Sequence, residues 1–303
     1  AAAIVQAIGL ALDSLEPARL FVRKTSVGFA HNRRRHGVVA GSPSKEDVVG
    51  HDVPILYCVG KSGKRIALVF GYACHNTTIA PQDGRYCSDW AGFAKEQIER
   101  SFPGTTALFI PGAGADQDPE PAGSIELSRQ HGREIADAIE LALREPGVAV
   151  TGPVYLAWAD VPLPLHPVTH ESISAMLASN DPPQLVKARF LQDALKRGAT
   201  LITEYSAPLQ VVRLGNELLL IALSGEPVVD WSHRLKRELP SIDPLSVAAR
   251  SAMLWVAGYC NDMFGYLPTL RVQAEGGYEG GRANLWSWIP APFTDDVEER
   301  IGR

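Results

Sequence analysis

The run Leu218–Leu223 (LLLIAL) is apolar at all 6 of its positions. Successive side chains of a strand point to opposite faces, so a strand without a polar residue must be covered on both sides. Further apolar runs of strand length occur at 53–58 (VPILYC), 65–74 (RIALVFGYAC) and 105–110 (TTALFI). The turn KSGK between the first two of these predicts a hairpin. Residues 18–27, 154–161, 209–214 and 253–257 read as further strands. Helical periodicity marks 91–101, 170–178, 183–197 and, longest, 124–144 (SIELSRQHGREIADAIELALR), with Ser124 placed to cap it. Strands alternating with helices, some of them covered on both faces, predict an α/β fold: an α/β/α layered domain with a mixed β-sheet. No repeat, low-complexity tract or Ser/Gly linker divides the chain, so residues 1–303 read as one domain.

The first residues, AAAIVQAIGLALDSL, space Ile4, Ile8 and Leu12 by four and predict an amphipathic helix. No capping residue precedes that pattern and no basic stretch opens it, so it reads as a helix entered part-way along and not as a signal peptide. The expectation is a chain truncated at its N-terminus.

Charge and composition narrow the function classes. Against 34 Asp+Glu there are 29 Lys+Arg, a formal charge of −5, which does not suit a nucleic-acid binder that relies on bulk positive charge. No apolar run reaches the ~18–20 residues of a transmembrane segment. The four cysteines, Cys58, Cys74, Cys87 and Cys260, include no CxxC pair, and they read as buried thiols and not as a disulfide scaffold.

In α/β sheets, functional groups cluster beyond the carboxyl ends of strands. Three apolar runs lead into ionisable or metal-capable side chains: RIALVFGYAC into His75, LLLIALSG into Glu226, and LWVAGYCNDMFG into Tyr266. Each has a plainer reading: a packing or capping His, a Glu at a helix start, a hydrogen-bonded packing Tyr. A His and a carboxylate together form half of a zinc site. The strand LFI opens into GAGADQD, which carries Asp116 and Asp118; it lacks the third glycine of a dinucleotide loop and would set negative charge against a pyrophosphate. The basic stretch HNRRRH at 31–36 is either a solvated turn or a clamp for an anion or carbonyl. No GxSxG nucleophile elbow is present.

Six motifs occur in series: NRR at 32–34, YACHNTT at 72–78, SDWAG at 88–92, LFIPGAGADQDP at 108–119, SGEPVVDW at 224–231, and GYLPT followed by YEGG. Together they resemble the catalytic domain of the neutral/alkaline non-lysosomal ceramidases. That resemblance implies a zinc-hydrolase-like domain without the C-terminal β-sandwich of larger members. It also implies a zinc ion (Zn2+) held by His75, Glu226, Tyr266 and a further His from an HxH motif, which occurs nowhere in this sequence. Tyr278, twelve residues beyond Tyr266 as in the family, and Arg33, which follows Asn32, are the implied catalytic residues. Gly112 stands where characterised ceramidases have Ser. The implied reaction is attack by a metal-activated water on the N-acyl amide of ceramide or a related lipid. A non-catalytic homologue, or a zinc hydrolase of another amide or ester, are the alternatives. Asp116 is read from its position as a carboxylate orienting His75 or the attacking water, with a loop-stabilising Asx turn as its other reading. The resemblance favours a secreted or periplasmic location and allows peripheral membrane contact; oligomeric state is left open.

Overall fold

In a computed structural model, residues 2–36, 48–84, 86–241 and 252–302 are described. The first half builds a five-stranded sheet from β1 (Ala18–Ser26), β3 (Asp52–Gly60), β4 (Arg65–Tyr72), β5 (Thr106–Pro111) and β7 (Val148–Ala149), in the order β5-β4-β3-β1-β7. The short β2 (Ala30–Asn32) pairs instead with β6 (Gln117–Pro119). The KSGK hairpin forms as expected, with β3 and β4 antiparallel and Ile55 opposite Phe70. β4 and β5 run parallel, Val69 opposite Leu108, and the crossover between them contains α2 (Asp89–Ser101). Ser124 accepts a hydrogen bond from the Leu127 amide and caps α3 (Ile125–Ala142) as the sequence predicts.

A second, four-stranded sheet follows in the order β12-β10-β9-β8, from β8 (Val154–Pro164), β9 (Glu204–Leu214), β10 (Leu218–Leu223) and β12 (Met253–Ala257). Helices α4 (His170–Ala178) and α5 (Pro182–Lys196) lie between β8 and β9 in the chain. β10 pairs parallel with β12 and antiparallel with β9. LLLIAL is covered on both faces. Leu219, Ile221 and Leu223 join a core with Trp231 and Leu235 of α6 (Val229–Glu238) and with Phe293, Val297 and Ile301 near the C-terminus. Leu218 and Leu220 pack with Trp255 against Val22, Leu56 and Val69 of the first sheet. On the outer face of that sheet, Ile55, Leu68 and Phe70 pack with Trp90 and Ile98 of α2 and Ile135 and Ile139 of α3.

The fold is therefore mixed α/β, with its central layer doubled: helices, sheet, sheet, helices. The two sheets approach closely. A Cβ on Gly71 of β4 would lie 2.7 Å from the Trp255 indole nitrogen on β12. Trp90, Trp231 and Trp255 are among the largest fully buried side chains, and truncating one to Ala costs about 3–5 kcal/mol.

Some readings of the sequence change. α1 (Ala2–Asp13) forms but buries none of its residues. The basic stretch at 31–36 is more than a solvated turn, since β2 is paired and Arg33–His36 form a 3-10 turn. The loop expected at 41–50 lies outside the described residues up to 47. Cys74 is buried, Cys58 and Cys260 are half-buried and Cys87 is exposed, all with free thiols. Among the described residues no helix is long and apolar enough to cross a membrane.

Candidate active site

The carboxyl ends of four strands from the two sheets meet at one point. Gly112, just past β5, bridges to Ala257 at the end of β12, and the Gly258 amide donates to the Pro111 carbonyl at 3.0 Å. His75 emerges beyond β4, the glycine loop beyond β5, Glu226 beyond β10 and Tyr259 beyond β12. The loop glycines serve backbone packing. A Cβ on Gly114 would stand 2.5 Å from the Ala73 carbonyl carbon, and one on Gly112 3.0 Å from the Ala73 Cβ. A serine at 112 would need Ala73 to give way by a few tenths of an ångström. Glu226 begins no helix: β11 (Glu226–Pro227) pairs parallel with β13 (Tyr266–Leu267), which sets Glu226 directly beside Tyr266. Gly225 makes this possible, because its φ of +67° suits glycine and a Cβ there would meet the Phe264 ring at 2.6 Å.

The ring of His75 has a defined polarity. Its Nε2 lies 2.9 Å from the Ala115 carbonyl, which only accepts, so the network assigns the proton to Nε2 and leaves a lone pair on Nδ1. The Tyr259 hydroxyl stands 3.4 Å from Nδ1, but its single proton goes to Glu226 Oε2 at 3.1 Å. Burial, and then the positive charge of Arg33, push the His75 pKa down and favour the neutral ring. Tyr259 itself sits at φ +59°, a left-handed conformation rare for an aromatic residue and one that costs about 1–3 kcal/mol. Burial, reinforced by Glu226, raises its pKa and keeps its proton on.

Arg33 is the second centre. Its Nε donates to Glu279 at 2.6 Å, Nη1 to Asp118 at 3.3 Å and Nη2 to the Tyr266 hydroxyl oxygen at 3.1 Å. Burial opposes its charge, but Glu279 and Asp118 outweigh burial and hold the guanidinium more firmly protonated than usual. A guanidinium has five N–H groups, so one on Nη1 and one on Nη2 remain beyond these three bonds. Burial raises the Tyr266 pKa and outweighs the opposing pull of Arg33, so the phenol keeps its proton. The Tyr278 ring lies edge-on to Tyr266 with centroids 5.3 Å apart, beneath the Arg33 guanidinium at 5.5 Å. Tyr278 is 37% exposed, so this end of the cluster meets solvent.

Glu279, fully buried, also accepts from Arg34 at 2.8 Å, and Arg34 donates in turn to Glu275 and the Gly276 carbonyl. Arg33 and Arg34 thus belong to neither a solvated turn nor a vacant anion clamp, being ion-paired to the chain's own carboxylates. Arg33, Tyr266 and Tyr278 come together here, and Glu226 sits beside Tyr266 and faces His75 through Tyr259.

Asp116 does not fill the position expected of it. Its Oδ1 accepts from the Val229 amide at 2.8 Å, at the start of α6, and its Oδ2 from the Asn32 side chain at 2.8 Å. The carbonyl of its neighbour Ala115 orients His75, while Asp116 fixes Asn32 and the backbone leading into Arg33. Full burial pushes its pKa up to about 6. Sequence reasoning passed over Tyr259 and Glu279 as site residues, and took Asp118 and Arg34 only as parts of a strand-end loop and a basic stretch. Tyr259 follows its strand more closely than Tyr266 does, so the strand-end rule applied strictly selects it.

Three donors near this point are of types that suit a metal: His75 Nδ1, the Glu226 carboxylate and the Tyr266 oxygen, the last already accepting from Arg33. Among the described residues no group of three His, Cys, Asp or Glu side chains is arranged to hold a metal ion, so a site here needs the phenol as its third donor.

The helix–sheet–sheet–helix frame, with ionisable side chains gathered at its strand ends, places the chain among the mixed α/β proteins. More narrowly, its fold is that of the neutral ceramidases. The neutral ceramidase from Pseudomonas aeruginosa is similar over 91% of this chain and 50% of that one, at 19% identity and a TM-score of 0.67. A ceramidase complexed with C2 is similar over 92% and 52%, at 17% identity and a TM-score of 0.66. The chain spans about half the length of these solved structures. No family model matches the sequence, and no curated protein matches it significantly.

Proposed function

We propose that the protein is a zinc-dependent amidohydrolase that cleaves the N-acyl amide of ceramide or a related N-acyl lipid. One observation carries this reading: on a neutral-ceramidase fold, Arg33 reaches Tyr266 and Tyr278 while Glu226, beside Tyr266, faces His75 through the Tyr259 hydroxyl. His75 Nδ1, Glu226 and the Tyr266 oxygen would hold the ion. Zinc, when bound, supplies a Lewis acid and a water activated at neutral pH. Arg33 donates to the Tyr266 oxygen at 3.1 Å, which partly offsets the cost of a phenolate there, and offers its remaining N–H groups to the oxygen of the scissile carbonyl. Tyr278, at the exposed edge, is the second donor to that oxygen. Glu279 and Asp118 fix the guanidinium so that little reorganisation is needed as charge develops there.

Hydrolysis of a panel of N-acyl sphingoid bases, N-acyl amino acids and simple esters, run beside metal analysis of the purified chain, tests the proposal. About one zinc per chain is expected, with both metal and hydrolysis lost in His75→Ala and Glu226→Ala. Arg33→Met and Tyr278→Phe should each keep zinc and lower kcat about 100- to 1,000-fold. Undiminished hydrolysis by metal-free protein overturns the reading; turnover of esters or N-acyl amino acids alone moves the substrate class. A non-catalytic protein on the same fold is the second reading, favoured by the single imidazole among these donors. Absence of zinc and of turnover across the whole panel would support it.

A further inference from the structure

Next to this site, and apart from its chemistry, lies a cavity of about 230 Å3 between α4, α5 and the segment 281–292. Most of its wall is apolar, with Met176, Leu191, Leu285 and Ile289 among the lining residues, but the buried Lys187 on α5 also faces it. The Lys187 ammonium donates to the Ser287 and Ile289 carbonyls at 2.7 and 2.5 Å. An ammonium has three donors, so one remains. No carboxylate among the described residues lies within ion-pair distance of this nitrogen, although buried lysines are rarely left without a countercharge.

We infer that the cavity binds a short-chain aliphatic monocarboxylate, with its carboxylate on the free Lys187 donor and its chain against the apolar wall. Charge decides the headgroup. A neutral ligand would leave the ammonium without its counterion, and an amine would add a second buried positive charge. Volume decides the length: at about 30 Å3 for each water-sized group, the cavity holds about eight non-hydrogen atoms, the size of hexanoate. The same burial that isolates Lys187 lowers its pKa to about 8, so the group is still mostly cationic at neutral pH and gains from an anion.

The cavity shares a wall with the candidate active site. Asn284 lines it and holds the Tyr266 backbone, accepting from the Tyr266 amide at 3.1 Å. Gly281 lines it from the turn that starts at Tyr278. A bound carboxylate would therefore stiffen the segment that carries both tyrosines. This inference does not rest on the proposed hydrolysis and stands or falls without it.

Isothermal titration calorimetry of the full chain with hexanoate, hexanol and hexylamine tests it. Hexanoate should bind at least tenfold more tightly than hexanol, and hexylamine should not bind. Lys187→Met should erase the preference for hexanoate over hexanol. Met176→Trp, which fills the cavity and leaves Lys187 in place, should abolish binding of both. Equal binding of hexanoate and hexanol to the wild-type protein overturns the inference whether or not the Lys187 variant folds, as does hexanoate binding that survives Met176→Trp.

Discussion

Glu279 gives the sharpest test of how the site is held. Its side chain is fully buried, and its two oxygens take separate cations: Oε1 accepts from Arg33 Nε at 2.6 Å and Oε2 from Arg34 Nη1 at 2.8 Å. Glu279→Gln changes almost no volume but removes the charge and turns one acceptor into an N–H2 group that faces an arginine donor. The buried Arg34 and the half-buried Arg33 then lose their shared counterion. Breaking a buried pair from one side costs about 3–5 kcal/mol, most of it for the charge left behind. For a chain of this length, each kcal/mol lowers Tm by about 2–4 °C, so a fall of about 6–12 °C is expected at the lower energy. Glu275→Gln is the control. It also touches Arg34, at 2.9 Å, and Arg271, at 2.8 Å, but its side chain is partly exposed, Arg34 keeps Glu279 and Arg271 keeps Asp230, so its cost should stay below about 1 kcal/mol. Calorimetric melting of both variants at one pH and salt concentration measures the difference. If Glu279→Gln melts within 2 °C or so of Glu275→Gln, the buried carboxylate is not what anchors the arginine pair, and the account of Arg33 fails with it.

Three further outcomes follow from the same geometry. Asp116 has a folded pKa of about 6, above its unfolded value of 3.8, so the fold holds its proton more tightly and its contribution to stability grows as pH falls through that window. The swing is about 3 kcal/mol; urea unfolding from pH 7 to 4 should show wild type gaining that much on Asp116→Asn, and parallel curves would refute it. Tyr259→Phe leaves Glu226 without its donor and should cost about 1–3 kcal/mol in urea unfolding; an unchanged midpoint would mean that water replaces the hydroxyl freely. Gly225→Ala meets the Phe264 ring at 2.6 Å as well as a positive φ, whereas Gly63→Ala, at φ +77° with nothing within 4 Å, meets only the latter. The first should cost well over 2 kcal/mol and the second about 1–2 kcal/mol, and equal losses would show that the contact at Gly225 relaxes.

Several strands were legible in the sequence because they were largely apolar, and His75, Glu226 and Tyr266 because each followed such a run, whereas Arg33 and Tyr278 were reached only through the family resemblance. What covers a strand was not. LLLIAL shows that both its faces are buried, yet a helix and a second sheet bury leucines equally well, and the expectation of one sheet between helix layers became two stacked sheets. A similar limit explains Asp116. Its place beside the glycine loop is visible, but a carboxylate turns toward whichever donors the fold brings near, and here those are the Val229 amide and Asn32, segments far away in the chain. Glu279 was hidden for the opposite reason. One charged residue in YEGG resembles any surface turn until the fold shows it enclosed by Arg33 and Arg34.

The doubled sheet also bears on how the site works. His75 and the glycine loop belong to the first sheet, Glu226 and Tyr259 to the second, and the backbone joins them through Gly112 to Ala257 and Gly258 to Pro111. The distance between the imidazole and the carboxylate is therefore set by the spacing of two packed sheets, a rigid quantity in a close-packed interior. Gly71 keeps that spacing short, since a side chain there would press on Trp255. Arg33, Tyr266 and Tyr278 are held differently, by side-chain ion pairs to a buried carboxylate and by the two-residue pairing of β11 with β13. One half of the site is thus fixed by core packing and the other by electrostatics, so removing a buried counter-charge should disturb the arginine–tyrosine half well before it moves His75 relative to Glu226.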